Sequence, residues 1–406
     1  MIVKNITLLG HKDHGKSTLI GNLLIQTKSV TEARINDAKK ISKQFGRQFE
    51  PGYILDSFSE EREREMTIDT TRAEMVYKDL AFAFIDVPGH EELIKNMISG
   101  ASYAEIALLL VSAKKDEGIM DQTKRHIFIA RMLGIKKLIV AVNKMDLIDY
   151  NKEIFDGIAK ELKSFIEKVG FEGSKVYFVP ISAYNADNLI KKSQKMKWYK
   201  GATLVELLYK HAKEEGTNMD GMPMRILAQG VIDLEHQTVV GKVISGKIAV
   251  GERIKVLPVG SMSTVKTITV KGKRAKSAKT DDDVALKLDK KVGDDIRGSV
   301  ICTANSKQQL SGSLKSLIFV TGPIGTTAKI RFNGVNVNCK KITMLKNINT
   351  ATGNAIKSKI VAPLNAMEAK IELEKKIPIE KFDDVKELGR FVLYDKLAFV
   401  GIGIVI

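Results

Sequence analysis

The stretch LLGHKDHGKSTLIGNLL, Leu8 to Leu24, limits what this chain can fold into more than any other. An apolar run enters it, and Gly10, Gly15, Lys16 and Ser17 then satisfy G-x-x-x-x-G-K-[ST]. An apolar segment of helical spacing follows. Such a loop works only where a strand delivers it to the N-terminus of a helix. The glycines let the backbone wrap closely around phosphates, and the loop amides, with the helix N-terminus, aim positive dipoles at them. Lys16 is expected to reach the β- and γ-phosphates, and Ser17 to offer its hydroxyl to Mg²⁺. Asp13, His14, Gly15, Lys16, Ser17 and Thr18 form the expected phosphate-binding set. His14, like His11, reads as a structural part of the loop. The Asp13 carboxylate repels a nucleotide unless a cation or the loop backbone compensates it.

The segments beyond the loop repeat the strand-and-helix theme. Short apolar runs at Ile6–Gly10, Ala81–Asp86, Ile106–Ala113, Leu138–Lys144 and Val176–Ser182 read as buried parallel strands. Longer stretches between them have helical spacing; Ile154, Ile158, Leu162 and Phe165 are expected to share one helix face. The fold class that follows is an α/β domain, a mostly parallel sheet with helices on both faces. Ligands of such sheets sit at the C-terminal ends of the strands, where the motifs fall.

Base identity is expected from NKMD, Asn143 to Asp146, after the strand LIVAV. Asp146 can accept two hydrogen bonds from guanine N1 and N2, which adenine cannot donate. Asn143 would brace the loop, the stem of Lys144 would cover the base, and the amides of Ser182 and Ala183 would meet guanine O6. DVPGH, Asp86 to His90, ends another strand. Asp86 would hold Mg²⁺ through water, the Gly89 amide would bind the γ-phosphate, and His90 would orient the attacking water. EREREMTID supplies Thr67, whose hydroxyl completes the metal shell only while the γ-phosphate is present. The metal set is thus Ser17, Thr67 and Asp86, the cofactors are GTP/GDP and Mg²⁺, and the reaction is hydrolysis of GTP to GDP and phosphate. No arginine finger is identifiable in cis, so unaided turnover should be slow.

With 406 residues the chain is too long for one ordinary core. Helical spacing nearly disappears after the polar segment Glu214–Pro223, and alternating strands take over. A second change falls around Ala304–Ser313. The expected domains are an α/β P-loop GTPase domain at 1–217 and two all-β barrels at 218–305 and 306–406. No window approaches about 18 uninterrupted apolar residues, the N-terminus lacks a secretory pattern, and two cysteines make no disulfide framework. A cytoplasmic protein with no membrane partner, monomeric on its own, is the expectation. The formal net charge of +17 favours a polyanion such as RNA. A lysine-rich proteome is the plain alternative. Lys266, Lys271, Lys273, Arg274, Lys276 and Lys279 form one candidate contact with RNA, or else a solvated hairpin.

In this order the elements resemble the translational GTPases, and more closely the elongation factor 1-alpha group. The resemblance rests on GHKDHGKST, EEREREMTID, DVPGHEELIKNMISGAS, DQTKRHIFIARMLGIKKLIVAVNKMD and ISAYNADNLIKKSQKMKWYKGATLVELL. It implies a GTPase domain followed by two β-barrels, and a switch stimulated by the ribosome. The partners it implies are the ribosome or RNA, with aminoacyl-tRNA or a release- or rescue-type protein factor as cargo. Two alternatives come with it: the GTPase subunit of a sulfate adenylyltransferase, and a regulatory GTPase outside translation. The chain departs from the family pattern at Lys12, Glu65 and Met66. GKVISG, Gly241 to Gly246, stands where elongation factors carry an arginine and a glutamate for the aminoacylated end of tRNA. The stretch Gly322–Lys340 lacks the histidine- and proline-bearing segment of a tRNA carrier.

Overall fold

A computed structural model describes the chain except residues 1, 45, 47, 56–70, 87–105, 136, 172–175, 215–218, 234–236, 309, 326 and 327. The side chains of Ile2, Thr71, Arg72 and Asp86 are not described either. Thr67, Gly89 and His90, and the departures Glu65 and Met66, therefore lie outside the described residues. The chain divides into two compact units, Met1–Glu215 with Thr350–Asn354, and Gly216–Asn349 with Ala355–Ile406.

The first unit begins with β1 (Ile2–Gly10), α1 (Lys16–Gln26), α2 (Glu32–Gln44), β2 (Thr71–Tyr77), β3 (Leu80–Asp86) and β4 (Ile106–Ser112). It continues with α3 (Asp121–Met132), β5 (Lys137–Asn143), α4 (Lys152–Lys168), β6 (Val176–Pro180) and α5 (Leu204–Lys213). Its strands form one six-stranded sheet in the order β2-β3-β1-β4-β5-β6. All neighbours are parallel except β2 against β3. Every residue of β4 is buried, as expected of a strand covered on both faces. The edge strand β2 instead alternates, with Ala73 and Met75 buried and Glu74 and Val76 exposed. That half-polar pattern leaves no continuous apolar run in the sequence.

The amphipathic face of α4 differs from expectation. Phe155, Leu162, Phe165 and Ile166 are the buried residues, while Ile154 is 40% exposed. The helix is turned toward Phe155 because that ring packs against Trp198, with centroids 5.4 Å apart. The Asn151 side chain starts the helix by accepting from the amides of Glu153 and Ile154. α5 opens on a reciprocal cap, in which Thr203 Oγ1 accepts from the Glu206 amide and Glu206 Oε2 accepts from the Thr203 amide. Among the described residues no helix is long and apolar enough to cross a membrane.

The second unit holds two antiparallel barrels. Strands β7 (Arg225–Asp233), β8 (Thr238–Ser245), β9 (Lys247–Ala249), β10 (Arg253–Leu257) and β11 (Ser261–Val270) open the first. β12 (Lys273–Ala275), β13 (Ser277–Lys279), β14 (Asp283–Leu288) and β15 (Val300–Thr303) complete it. The order β10-β15-β7-β8-β14-β11 closes through β10–β11. The second barrel uses β16 (Leu310–Val320), β17 (Ala328–Phe332), β18 (Val335–Ile348), β19 (Ala355–Ile356), β20 (Ala366–Pro378), β21 (Arg390–Asp395) and β22 (Ala398–Val405). It closes through β17–β18 in the order β17-β21-β22-β16-β20-β18. Alternation fills its interior: Ala328, Ile330 and Phe332 of β17 are buried, Lys329 and Arg331 exposed. Closure pairs the end strands of each six-strand ring with one another and leaves only the short strands β12 and β19 at a sheet edge among the described residues of these two sheets. Arg225 of β7, only 5% exposed, joins the barrels: its Nε donates to Glu380 Oε1 at 2.6 Å and to Gln308 Oε1 at 2.7 Å.

Candidate nucleotide site

The phosphate loop runs from the end of β1 to the start of α1. Both of its motif glycines are required by the geometry. Gly15 has φ 89°, and a Cβ there would stand 2.6 Å from Asn143 Nδ2. A Cβ on Gly10 would stand 2.8 Å from the Leu110 carbonyl oxygen. Lys16 Nζ lies back across the loop, donating to the carbonyls of Gly10 at 3.0 Å and His11 at 3.2 Å. Gly15, at the N-cap of α1, has no side chain to close the helix. The amides of Lys16, Ser17 and Thr18 consequently have no acceptor among the described residues. Three uncapped donors beside an ammonium are the chemistry a triphosphate needs, so the residues present fit GTP or GDP. Ser17 is exposed at the second position of α1, and among the described residues its hydroxyl has no protein partner, which fits a Mg²⁺ ligand. The Thr18 hydroxyl donates to Glu50 Oε1 at 2.8 Å, so this residue can offer the nucleotide its amide.

His14 is fully buried beneath the loop. Its Nδ1 lies 3.0 Å from the Leu110 oxygen and its Nε2 3.1 Å from the Glu117 oxygen. Burial lowers its pKa against the pull of those carbonyls. It anchors the loop, as expected from the sequence. Asp13 is exposed on the short helical turn Lys12–His14, with no compensating cation or backbone donor among the described residues.

Asn143 joins the two ends of the site. Its Nδ2 donates to the His14 carbonyl and its Oδ1 accepts from the Ala183 amide, both at 2.8 Å. Lys144 follows at φ 63° and donates to Glu117 Oε2 at 2.5 Å. Burial alone would push the Glu117 carboxyl up; hydrogen bonds from Lys144, Ser112 and Lys114 instead hold it at about 2. Asp146 lies half-buried in the turn Met145–Ile148, without a hydrogen-bond partner among the described residues. Both carboxylate oxygens are thus open to a base. The expected O6 donors are placed differently. The Ser182 amide donates to the Asp187 carbonyl at 3.3 Å and the Ala183 amide to Asn143. The Tyr184 amide is the first in this loop with no acceptor among the described residues.

Two contributors were not singled out from the sequence. Asn22, on α1, donates to the carbonyls of Ala183 and Tyr184 and so ties the base loop to the phosphate-loop helix. Glu117 pins Lys144. Asn22 carried a faint signal, as a polar residue inside an apolar helix; Glu117 carried none.

At its C-terminal edge the sheet thus brings together a phosphate loop, a bracing asparagine and a carboxylate, Asp146, without a hydrogen-bond partner among the described residues. Residues 1–214 match the elongation factor Tu GTP binding domain family, and residues 322–406 match the GTP-eEF1A C-terminal domain-like family. The chain is 34% identical to elongation factor 1-alpha of Methanothermobacter thermautotrophicus, over 99% of this chain and 97% of that protein. Against elongation factor 1-alpha of Aeropyrum pernix the identity is 33%, over 99% of this chain and 95% of that protein. Against that of Sulfurisphaera tokodaii it is 34%, over 99% and 96%. With a GTP-binding domain at its N-terminus and family likeness over its whole length, the chain belongs to the elongation factor 1-alpha family of translational GTPases, which bind GTP, GDP and Mg²⁺.

Proposed function

We propose that this GTPase acts on the ribosome, cycling between a GTP form that engages its partners and a GDP form that lets them go. The observation that supports it most is the preformed phosphate loop with its uncapped amides, within a chain that is related to elongation factors over its whole length. Hydrolysis is an in-line attack of water on the γ-phosphate, in which the protein positions groups and neutralises charge. Lys16, the loop amides and the Gly89 amide stabilise the phosphoryl oxygens, and His90 orients the water. Mg²⁺, when bound through Ser17, Thr67 and Asp86, supplies positive charge to the β- and γ-oxygens. Asp146 reads guanine, with Asn143 and Lys144 holding its loop. The test is GTP turnover with and without purified ribosomes; a rate indifferent to ribosomes would defeat the proposal.

The cargo calls for a second reading. The name of the relatives, elongation factor 1-alpha, argues for delivery of aminoacyl-tRNA. The first barrel argues against it. In GKVISG, Ser245 is fully buried and donates to the Pro223 carbonyl at 2.7 Å. Lys242 pairs with Asp281 at 3.1 Å. Ser245 is closed to a terminal adenosine or an ester, and Lys242, in a surface ion pair, is the polar side chain of this stretch left to meet one, so the GTP form binds aminoacyl-tRNA weakly and a protein partner, or the ribosome directly, in its place. Protection of the aminoacyl ester from spontaneous hydrolysis decides this. Strong protection that appears with GTP and vanishes with GDP would make the chain an ordinary tRNA carrier.

A further inference from the structure

The turn that follows the base loop has no place in the nucleotide chemistry, yet it is firmly built. From Asn188 to Val205 the sequence has five lysines, Lys191, Lys192, Lys195, Lys197 and Lys200, and no carboxylate. Its backbone is set by Asn188, which is 2% exposed: Nδ2 donates to the Pro180 carbonyl at 3.0 Å and Oδ1 accepts from the Ser193 amide at 2.8 Å. Ala186 and Asn188 both take positive φ, 60° and 57°, a conformation that costs a non-glycine residue about 1 kcal/mol or more. A merely solvated run of charge needs no such scaffold.

The turn borders an open concavity of about 560 Å³ whose lining includes Gln26, Asp187, Ile190, Lys191, Lys192 and Lys195. Asp187 is the carboxylate in that lining, and its oxygens are held by two neutral hydroxyls that leave its charge in place. Oδ2 accepts from the Tyr150 hydroxyl at 3.0 Å and Oδ1 from Ser193 Oγ at 2.7 Å. Lys195 donates to the Tyr150 hydroxyl at 3.0 Å, which raises its pKa and keeps the ammonium charged. Lys191 and Lys192 are exposed and have no ion pair among the described residues. Three lysines thus line one concavity against a single carboxylate, Asp187, so the concavity keeps a net positive charge.

We propose that this pocket is a docking site for the phosphodiester backbone of RNA. Compact, strongly hydrated ammonium charges suit phosphate oxygens, and an apolar anchor of the kind a protein partner needs is missing from the lining apart from Ala186 and Ile190. The nearby aromatic side chains are already engaged: Trp198 Nε1 donates to the Tyr150 carbonyl and its ring packs on Phe155. With no aromatic residue in the lining itself, the site reads backbone and not sequence. The RNA of the ribosome is the natural source, and in that respect the inference rests on the proposed function.

The test uses the full chain bound to GDP and a short fluorescein-labelled RNA hairpin, with affinity read by anisotropy between about 50 and 200 mM salt. K191Q/K192Q/K195Q should flatten the plot of log affinity against log salt by about two to three, at ~0.7–0.9 per lost contact. A charge-matched variant on helix surfaces, K39Q/K160Q/K163Q, should change the slope by less than about one. Scrambling the hairpin sequence should leave the wild-type affinity within about twofold. If the triple variant does not fold, as judged by GDP binding, the K191Q/K192Q pair should still lower the slope by about one to two. Equal slopes in the pocket variant and the charge-matched variant would overturn the proposal, as would a polyglutamate peptide displacing the hairpin at matched charge. Ribosome-stimulated GTP turnover of the wild type is measured beside it. Loss of that stimulation would defeat the ribosome reading while the difference in slope stood, so the two failures remain distinguishable.

Discussion

Asp146 is half-buried and unpartnered among the described residues, so replacing it should change what the base meets and little else. Asp146→Asn should weaken GTP about 10- to 100-fold, the scale of a hydrogen bond to a charged group, and should favour xanthosine triphosphate, whose O2 replaces the amino donor. Competition among the four common triphosphates and xanthosine triphosphate checks this; ATP competing as well as GTP would remove Asp146 from base recognition. His90→Ala should keep Mg²⁺·GTP affinity within several-fold and lower ribosome-stimulated turnover by at least ~10²-fold, the scale of a positioned catalytic group. Stimulated rates equal to wild type would take His90 out of the mechanism. The residues expected to bind phosphate and base were legible in the sequence because they lie in contiguous motifs. The backbone amide left open after the last strand was not. Whether Ser182, Ala183 or Tyr184 keeps a free amide depends on Asn143 and on the Asp187 carbonyl, and only folding brings Asn143 to this loop.

Elements were readable where their pattern was one-sided and obscure where it was mixed. β4 and β5 announce themselves as apolar runs; β2, half polar at the sheet edge, does not. The four apolar positions expected to share one face of α4 included Ile154, whereas Phe155 is the residue buried. Helical spacing alone cannot choose between adjacent apolar residues, and the ring of Trp198 does. Thr203→Ala removes the reciprocal cap of α5 and should cost about 1 kcal/mol, seen as a lower thermal midpoint. The link from Lys144 to Glu117, which holds the loop after β4 to the loop after β5, should respond to acid. The Glu117 carboxyl sits at about 2 in the fold against an ordinary value of 4.5. Its contribution is therefore complete above about pH 4.5 and is lost as pH falls toward 2. Urea midpoints followed through that range should fall less steeply in Glu117→Gln than in the wild type; identical slopes would show that the pair holds nothing.

At the scale of the molecule, the two barrels of the second unit are joined through a buried charge. Arg225→Met should leave Glu380 without its guanidinium and destabilise that unit by about 3 kcal/mol, read as a shift in its denaturant midpoint. Double substitution of Arg225 and Glu380 by apolar residues should recover most of the loss, because the cost lies in the unpaired charge.

What the sequence determined by itself was the kind of protein: a GTPase built on a mostly parallel sheet, followed in the chain by two β-barrels. Phosphate loops, base-reading turns and amphipathic periods are local, and each is fixed by the stereochemistry of a few consecutive residues. Tertiary structure alone decided which polar groups remain open. It placed Asn143 on His14 and Ala183, turned Ser245 into the interior, and left three lysines around one concavity against a single carboxylate. Those outcomes depend on contacts between residues far apart in the chain. A side chain's availability is what remains after its neighbours in space have taken their hydrogen bonds, and those neighbours exist only in the folded molecule.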